Sequence, residues 1–570
     1  MMTGRGLICP KEGYCSMDDR IQKTLGELSL IKEAVAELYA ELSDGKKDDF
    51  LDLSSSIRTV LEQLKVEGKK QAGDHHGLKL AEAAESTMDS LDRVIRYSLC
   101  NIPLAKEKIL YELIPFAEDM YASYYFWTCI FDHKERWDDY YSKEIPALFE
   151  GTYLKQAKEQ GKYKYDISIC VLAYNKLEFT QMCVDSLLKH LPPSLNCELL
   201  LVNHGSSDET KEYFESIRPT KQIDIKINGA FLHTIGRAIE GRFFLFVSND
   251  VLVTEHAIEN MYKTLEEDEN IALVVPSTPN VSNLQTIPAQ YSSPEEMFVW
   301  AEQNNKYDPY RHEVRTRLVN PIHMSRTEYT EQCLSFAYRI NVDGESVSFP
   351  DDIQALLLRR KGYKLVLAKD AFCYHYGRVT IKEEMKSRVQ SKEEEEALYT
   401  KGQKDFEELF GIDPWGTGYC YDPFFMDFDC KYDGHVEVLG INTGMGSNPL
   451  KIKEIYKEKK HNLDVKLTIA DRKEVYFEDV KAFADETVFV ENVPAVFEKF
   501  AGKKFNYIVF EEPFSENGET LTTMEKLAEL LVPDGELYIK VGKEVNSPVY
   551  TCIMPNSDKY KSYWVRLIKN

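Results

Sequence analysis

Between residues 165 and 380, short apolar and β-branched runs alternate with stretches of helical spacing, and each run stops at a polar turn. Ile167 to Leu172 is one such run, and Met182 to Leu188 has the spacing of a helix. Leu199 to Val202 is a second run, followed by the turn Gly205-Ser206-Ser207-Asp208. Phe243 to Val247 and Leu273 to Val275 complete the set. A strand without polar alternation has both faces covered. The rhythm therefore predicts an α/β domain whose mainly parallel sheet lies between two helix layers. In such a sheet ligands sit at the carboxyl ends of the strands.

The flanks read differently. In residues 17–150, Ile21, Leu25, Leu28, Ile31, Val35, Leu38 and Leu42 fall three or four apart and form one apolar stripe. A second stripe runs through Leu53, Ile57, Val60, Leu61 and Leu64, and a third through Leu80, Ala84, Met88, Leu91 and Ile95. Gly68 to Gly77 reads as a loop in which the pair His75-His76 could bind a metal but is expected to be solvated, and Pro103 opens a further helix. A helical bundle without chemistry of its own docks a partner or holds an oligomer together. Residues 1–16 read as an unstructured leader. Residues 381–410 are charged and helical, a connector. From Gly434 to Gly542 a second α/β pattern appears, with strands expected at 436–440, 466–469, 488–490, 507–510 and 537–541. The expected domains are therefore 17–150, 165–425 and 430–570.

Composition narrows the partners. The 570 residues carry 70 Lys and Arg against 94 Asp and Glu, a formal charge of −24, with no basic block, which disfavours nucleic acid and anionic membranes. The 12 cysteines form no C-x-x-C pair, and Cys170 and Cys183 fall in core-like segments, as expected of buried thiols in a reducing compartment. No positively charged start leads into an apolar run, and Tyr121 to Phe131 is too short to cross a bilayer. The expectation is a soluble, cytoplasmic protein.

Candidate chemistry gathers at the strand ends. Asp250 follows the apolar run Phe243 to Val247, so its carboxylate is expected at the sheet's carboxyl edge. There it could hold a hard divalent cation such as manganese or magnesium, or it could cap a helix over Thr254 to Leu265, for which Thr254 is the better cap. Asp351 and Asp352 follow Pro350 and precede an apolar helix. One of them is expected to cap it; a carboxylate so placed also suits a general base. His375 lies between a strand-like segment and Gly377.

Taken together these segments resemble the family 2 glycosyltransferases. They are, in order, Ala173-Tyr174-Asn175 after a strand, Asn203-His204-Gly205-Ser206-Ser207-Asp208, Phe244 to Asp250, Asp351-Asp352 with Gly362-Tyr363, and His375-Tyr376-Gly377. The resemblance spans about 215 residues and implies a GT-A fold and one-step transfer, with inversion, from a nucleotide-diphosphate sugar to a glycan or protein acceptor such as a surface polysaccharide or flagellin. It implies that Asp250 and His375 hold the metal. Asp352 becomes the base with Asp351 beside it, and Ala173, Tyr174, Asn175, Asn203, Gly205, Ser206, Asn249 and Asp250 hold the donor. The chain departs from the family pattern at Ser248, where a first acid is usual, and at Asn203, where an Asp is usual. It departs again at His233-Thr234, which leaves Arg237 as a substitute phosphate contact, and by one residue missing after the acid pair.

The segment Val436 to Gly444 resembles the glycine-rich first loop of Rossmann-like methyltransferases that use S-adenosylmethionine, with Asp471 in the place of the ribose-binding acid and Leu531 to Leu537 as a late turn and strand. Asn442 replaces the middle glycine, and the acid at the strand end is displaced to Glu437, which disfavours the cofactor. Three readings follow: a glycosyltransferase, a bifunctional glycosyltransferase–methyltransferase, and an assembly protein that keeps the fold without the chemistry.

Overall fold

The computed structural model describes residues 19–70, 75–136, 139–140, 143, 160–225, 231–329, 349–377, 389–514, 526–541, 551–553 and 563–569. The expected leader lies outside them. The chain forms two compact units, Met1–Glu150 with Lys226–Ala238, and Gly151–Ile225 with Ile239–Asn570.

The first unit is helical, as its stripes require. Helices α1 (Asp19–Ser43), α2 (Lys47–Lys70), α3 (His75–Cys100), α4 (Ile102–Lys108) and α5 (Ile114–Tyr125) bury Leu28, Val35, Leu61, Leu91 and Ala117 in one core. Pro103 lies in the first turn of α4, where Asn101 caps the amide of Leu104. The loop expected at 68–77 is shorter, because α2 runs on through Gly68 to Lys70 and α3 starts at His75. Arg237, in the helix Phe231–Ala238, pairs with Glu118 of α5, with Nε 2.7 Å from Oε2. That ion pair occupies the guanidinium expected at a phosphate.

The second unit holds two sheets. The first contains β1 (Tyr165–Ala173), β2 (Cys197–Asn203), β3 (Lys221–Asp224), β4 (Gly241–Ser248), β5 (Val251–Val253), β6 (Ile271–Ser277), β7 (His312–Arg315), β8 (Ile322–Arg326) and β9 (Lys364–His375). Their order is β3-β2-β1-β4-β8-β6-β9-β5, with β7 also on β9. Pairs β3-β2-β1-β4 are parallel, whereas β8 is antiparallel to both β4 and β6. The sheet is therefore mixed rather than mainly parallel. The strand that breaks the pattern, Ile322-His323-Met324-Ser325-Arg326, has too few apolar residues to read as a buried strand. The two short runs expected at 365–367 and 372–374 are one strand, β9, with an irregularity between Ala368 and Phe372 opposite β6. Both faces of β1 are covered, by Ile167, Ile169 and Val171 on one side and Ser168 and Cys170 on the other. Cys170 and Cys183 are fully buried, and burial pushes both thiols up.

The second sheet comprises β10 (Val436–Ile441), β11 (Val465–Asp471), β12 (Glu486–Phe489), β13 (Phe505–Phe510), β14 (Leu531–Val541), β15 (Thr551–Ile553) and β16 (Tyr563–Ile568), in the order β12-β11-β10-β13-β14-β16-β15. All pairs among the first five are parallel, and β16 is antiparallel to its neighbours. Its topological switch point lies between β10 and β13, where a doubly wound sheet opens its crevice. The charged connector is the helix Lys392–Phe410, capped by Ser391 and closed by Gly411 in the left-handed region.

Candidate active site

Register alone brings the first cluster together. Ala173 at the end of β1 pairs with Asn203 at the end of β2, and Leu172 pairs with Ser248 of β4, so three strands end at one edge. The turn beyond β1 is left-handed at Asn175 and Lys176. Polar bonds hold it there, since the Asn175 amide donates to Ser206 Oγ at 2.9 Å and the Ser207 amide donates to Asn175 Oδ1 at 2.8 Å. Asn203 Oδ1 accepts from the Ser206 amide at 3.0 Å, and its Nδ2 donates to Asp224 at 3.2 Å. Asn249 Nδ2 donates to the Asn175 carbonyl at 3.1 Å and to Thr180 Oγ1 at 2.9 Å. Asn175 thus bonds to both Ser206 and Asn249, and the three shape the rim. Tyr174 is the side chain at this edge that stands 40% exposed.

The second cluster comes from β5 and β9. Antiparallel pairing sets Val251 opposite His375, and the Tyr376 amide donates to the Asp250 carbonyl at 3.0 Å. The buried Asp250 and His375 side chains consequently meet, with Oδ2 and Nε2 3.4 Å apart. His375 Nδ1 is buried with no hydrogen-bond partner. Asn280 fixes the backbone by donating to the His375 carbonyl at 2.8 Å, and Gly377, at φ +89°, leaves only 2.8 Å between a would-be Cβ and Asn280 Cβ. Asp250 caps no helix. The next helix is Ala257–Glu267, and the Thr254 hydroxyl bonds to the Phe372 carbonyl instead of serving as its cap. One carboxylate and one imidazole can give a divalent cation two ligands, with diphosphate oxygens and water completing the shell. Among the described residues no third His, Cys, Asp or Glu joins them.

The acid pair opens the helix Pro350–Arg360, whose cap position is Phe349 in the left-handed region; neither Asp is the cap. The two carboxyls have different surroundings. Asp352 is buried and gripped by Arg317, through Nε on Oδ1 and through Nη2 on Oδ2 at 3.3 Å. Asp351 is only half-buried. Desolvation, opposed by Arg317 and reinforced by the neighbouring Asp352, pushes the Asp351 carboxyl up to about 7. Burial raises Asp352 as well, against the pull of Arg317. The pair is brought to the strand edge through Asn320 and Pro321. The Ser248 amide donates to the Pro321 carbonyl at 2.8 Å, and Asn320 Nδ2 donates to Gln354 at 2.8 Å, two residues past Asp352. Arg317 and Asn320 stand outside every motif, and nothing in the sequence marks them.

In the second sheet the loop after β10 does not fit a cofactor. Asp471 accepts from the amides of Gly444 at 3.1 Å and Lys473 at 2.8 Å. Asn442, at φ +47°, bonds to the Arg472 amide and the Glu512 carbonyl. The amides of Met445 and Ser447 donate to the chain's own Thr417 and Gly418 carbonyls, at 2.9 and 3.2 Å. The approach is so close that a Cβ on Gly444 would lie 2.3 Å from the Thr417 oxygen.

No curated protein matches the chain. Similar solved structures include GalNAc-T7 with UDP, GalNAc and Mn2+ (12% identity, TM-score 0.28, 37% of this chain and 44% of that one). Others are the mannosyltransferase PcManGT from Pyrobaculum calidifontis with GDP-Man and Mn2+ (14%, 0.26, 41% and 64%) and S. aureus TarS 1-349 with UDP-GlcNAc (15%, 0.26, 43% and 66%). The chain therefore spans less than half of the first of these proteins and just under two thirds of the other two. The family match covers β1 to the turn before β8 and none of the second sheet: residues 168–321 match the model of glycosyl transferase family 2.

Proposed function

We propose that this protein is an inverting, metal-dependent glycosyltransferase that moves a hexosyl or deoxyhexosyl group from a nucleotide-diphosphate donor to a glycan or protein acceptor. The carrying observation is the layout of one sheet edge. Asp250 and His375 meet there, and the first turn of the Pro350–Arg360 helix is tied to the same edge through Asn320 and Pro321. Tyr174 and Asn203 hold the nucleobase end, Tyr174 through its exposed ring and Asn203 through the remaining lone pair of its amide oxygen. A divalent cation held by Asp250 and His375 would neutralise charge on the departing diphosphate.

Asp351 serves as base in preference to Asp352. The carboxylate of Asp352 is already engaged by Arg317, whereas Asp351 is half-buried and titrates near neutrality, where a base works best. It takes the proton of the acceptor hydroxyl as that oxygen attacks the anomeric carbon. The bond to the diphosphate oxygen breaks on the opposite face, and the nucleoside diphosphate leaves with the bonding electrons. The test is a panel of nucleotide sugars offered to the purified protein with manganese, with magnesium and with chelator. Metal-dependent release of one nucleoside diphosphate is expected, and no release from any donor would overturn the reading.

A further inference from the structure

None of the residues named in the chemistry just described lies in the C-terminal region, yet that region packs against the helix that carries the acid pair. Asp479, in the short helix Phe477–Val480, is fully buried. It receives both arginines that end the acid-pair helix. Arg360 donates through Nε to Oδ1 at 3.1 Å and through Nη2 to Oδ2 at 3.2 Å. Arg359 donates through Nε to the Asp479 carbonyl at 3.2 Å and lies 3.5 Å from Oδ1. The same Arg359 guanidinium reaches the carbonyl of Thr316, the residue before the Arg317 that grips Asp352. Thr316 is held in turn from the second sheet's side, by the Ser447 hydroxyl and by the Tyr419 carbonyl at 3.0 Å. A continuous run of buried contacts thus joins Asp479 to Arg359, Thr316, Arg317 and Asp352, beside Asp351. Meanwhile the crevice where this sheet would take a ligand is lined by amides already given to Thr417 and Gly418.

We propose that the C-terminal domain acts as an internal buttress for glycosyl transfer, with Asp479 as a positioning residue that fixes the acid-pair helix through Arg359 and Arg360. The inference rests on the glycosyltransferase reading for its kinetic consequence, though not for its geometry. Among the described residues, the charged groups acting on the pair are Arg317 from the segment before β8 and Arg359 from the same helix, while Cys420, from the segment leading to the second sheet, faces Arg317. Removing the Asp479 charge leaves Arg359 less compensated. A less compensated cation favours ionised carboxylates, so the titration of the pair should move to lower pH.

The experiment compares wild-type full-length protein with Asp479→Asn and Arg360→Lys. Turnover with saturating donor and acceptor, donor Kd and the pH profile are measured for each, together with the carboxyl carbon resonance of Asp351 in 13C-aspartate-labelled protein. A misplaced base predicts a turnover loss of about 10–100-fold in Asp479→Asn with donor Kd unchanged and an acid limb shifted downward. Arg360 is partly exposed, and its Lys variant keeps the charge but cannot span both carboxylate oxygens; it should show a smaller loss of the same kind even if Asp479→Asn does not fold. Wild-type turnover with an unmoved limb in a folded Asp479→Asn, or wild-type turnover in Arg360→Lys, would overturn the proposal, as would a donor Kd that weakens in step with turnover. An inactive wild type defeats the enzyme reading instead. The resonance of Asp351 then decides the coupling, since a midpoint that stays put in Asp479→Asn refutes it.

Discussion

Replacing Asp351 with Asn should raise stability and abolish turnover together, a combination few substitutions produce. The carboxyl titrates at about 7 in the folded protein against an ordinary value of 3.8. At 1.36 kcal/mol per unit, holding it ionised costs on the order of 4 kcal/mol, an upper figure for a half-buried group. The sign follows from proton linkage. The folded state binds the proton more tightly than the unfolded chain between pH 3.8 and about 7, so this group's contribution is fully present below pH 3.8 and is lost as pH rises through 7. A neutral amide of the same shape carries no ionisation cost. Asp351→Asn should therefore melt at a higher temperature than wild type at pH 8, and the difference should shrink toward pH 4. Turnover should fall by about 10²–10⁴-fold, with donor affinity nearly unchanged. The wild-type limb of kcat/KM near pH 7 should vanish in what activity remains. Asp352→Asn should behave in the opposite way in the melting assay, because losing the partner of the buried Arg317, a cost of about 3–5 kcal/mol, outweighs the relief from the raised Asp352 carboxyl. Thermal scanning calorimetry from pH 4 to 8 and a pH–rate profile on both variants suffice as the assay. A collapse of turnover in Asp352→Asn alongside a well-folded, active Asp351→Asn would refute the assignment.

Chelation should abolish donor turnover, and Asp250→Ala should do so without unfolding the chain; full activity in excess chelator would refute the metal reading. S-adenosylmethionine should show no heat of binding to the full-length protein at physiological concentration, because the loop amides are satisfied by Thr417 and Gly418; micromolar affinity would restore the bifunctional reading. Gly444→Ala should destabilise the protein by about 1–3 kcal/mol or more, since it places a side chain at φ +55° against the Thr417 carbonyl; an unchanged melting temperature would refute the close approach.

Much of the fold was legible in the residues. Local periodicity fixed the helical stripes around Leu28, Val35 and Leu61, because one apolar face per helix is a property of spacing alone. Apolar runs ending in polar turns fixed β1, β2 and β4, and with them the placing of Asn203 and Asp250 at a common edge. The meeting of Asp250 and His375, more than a hundred residues apart, needed the antiparallel pairing of β5 with β9, which no local pattern encodes. The strand β8 was invisible for a similar reason. Its His323 and Arg326 break the apolar run, and it is a strand only because β4 and β6 flank it. The acid pair shows the division most sharply. Sequence placed Asp351 and Asp352 at a helix start, one residue apart and chemically identical. Only the tertiary structure distinguishes them, by setting Arg317 against one and leaving the other half-buried, because two carboxylates equivalent in the chain ionise differently once the charges and solvent around each differ.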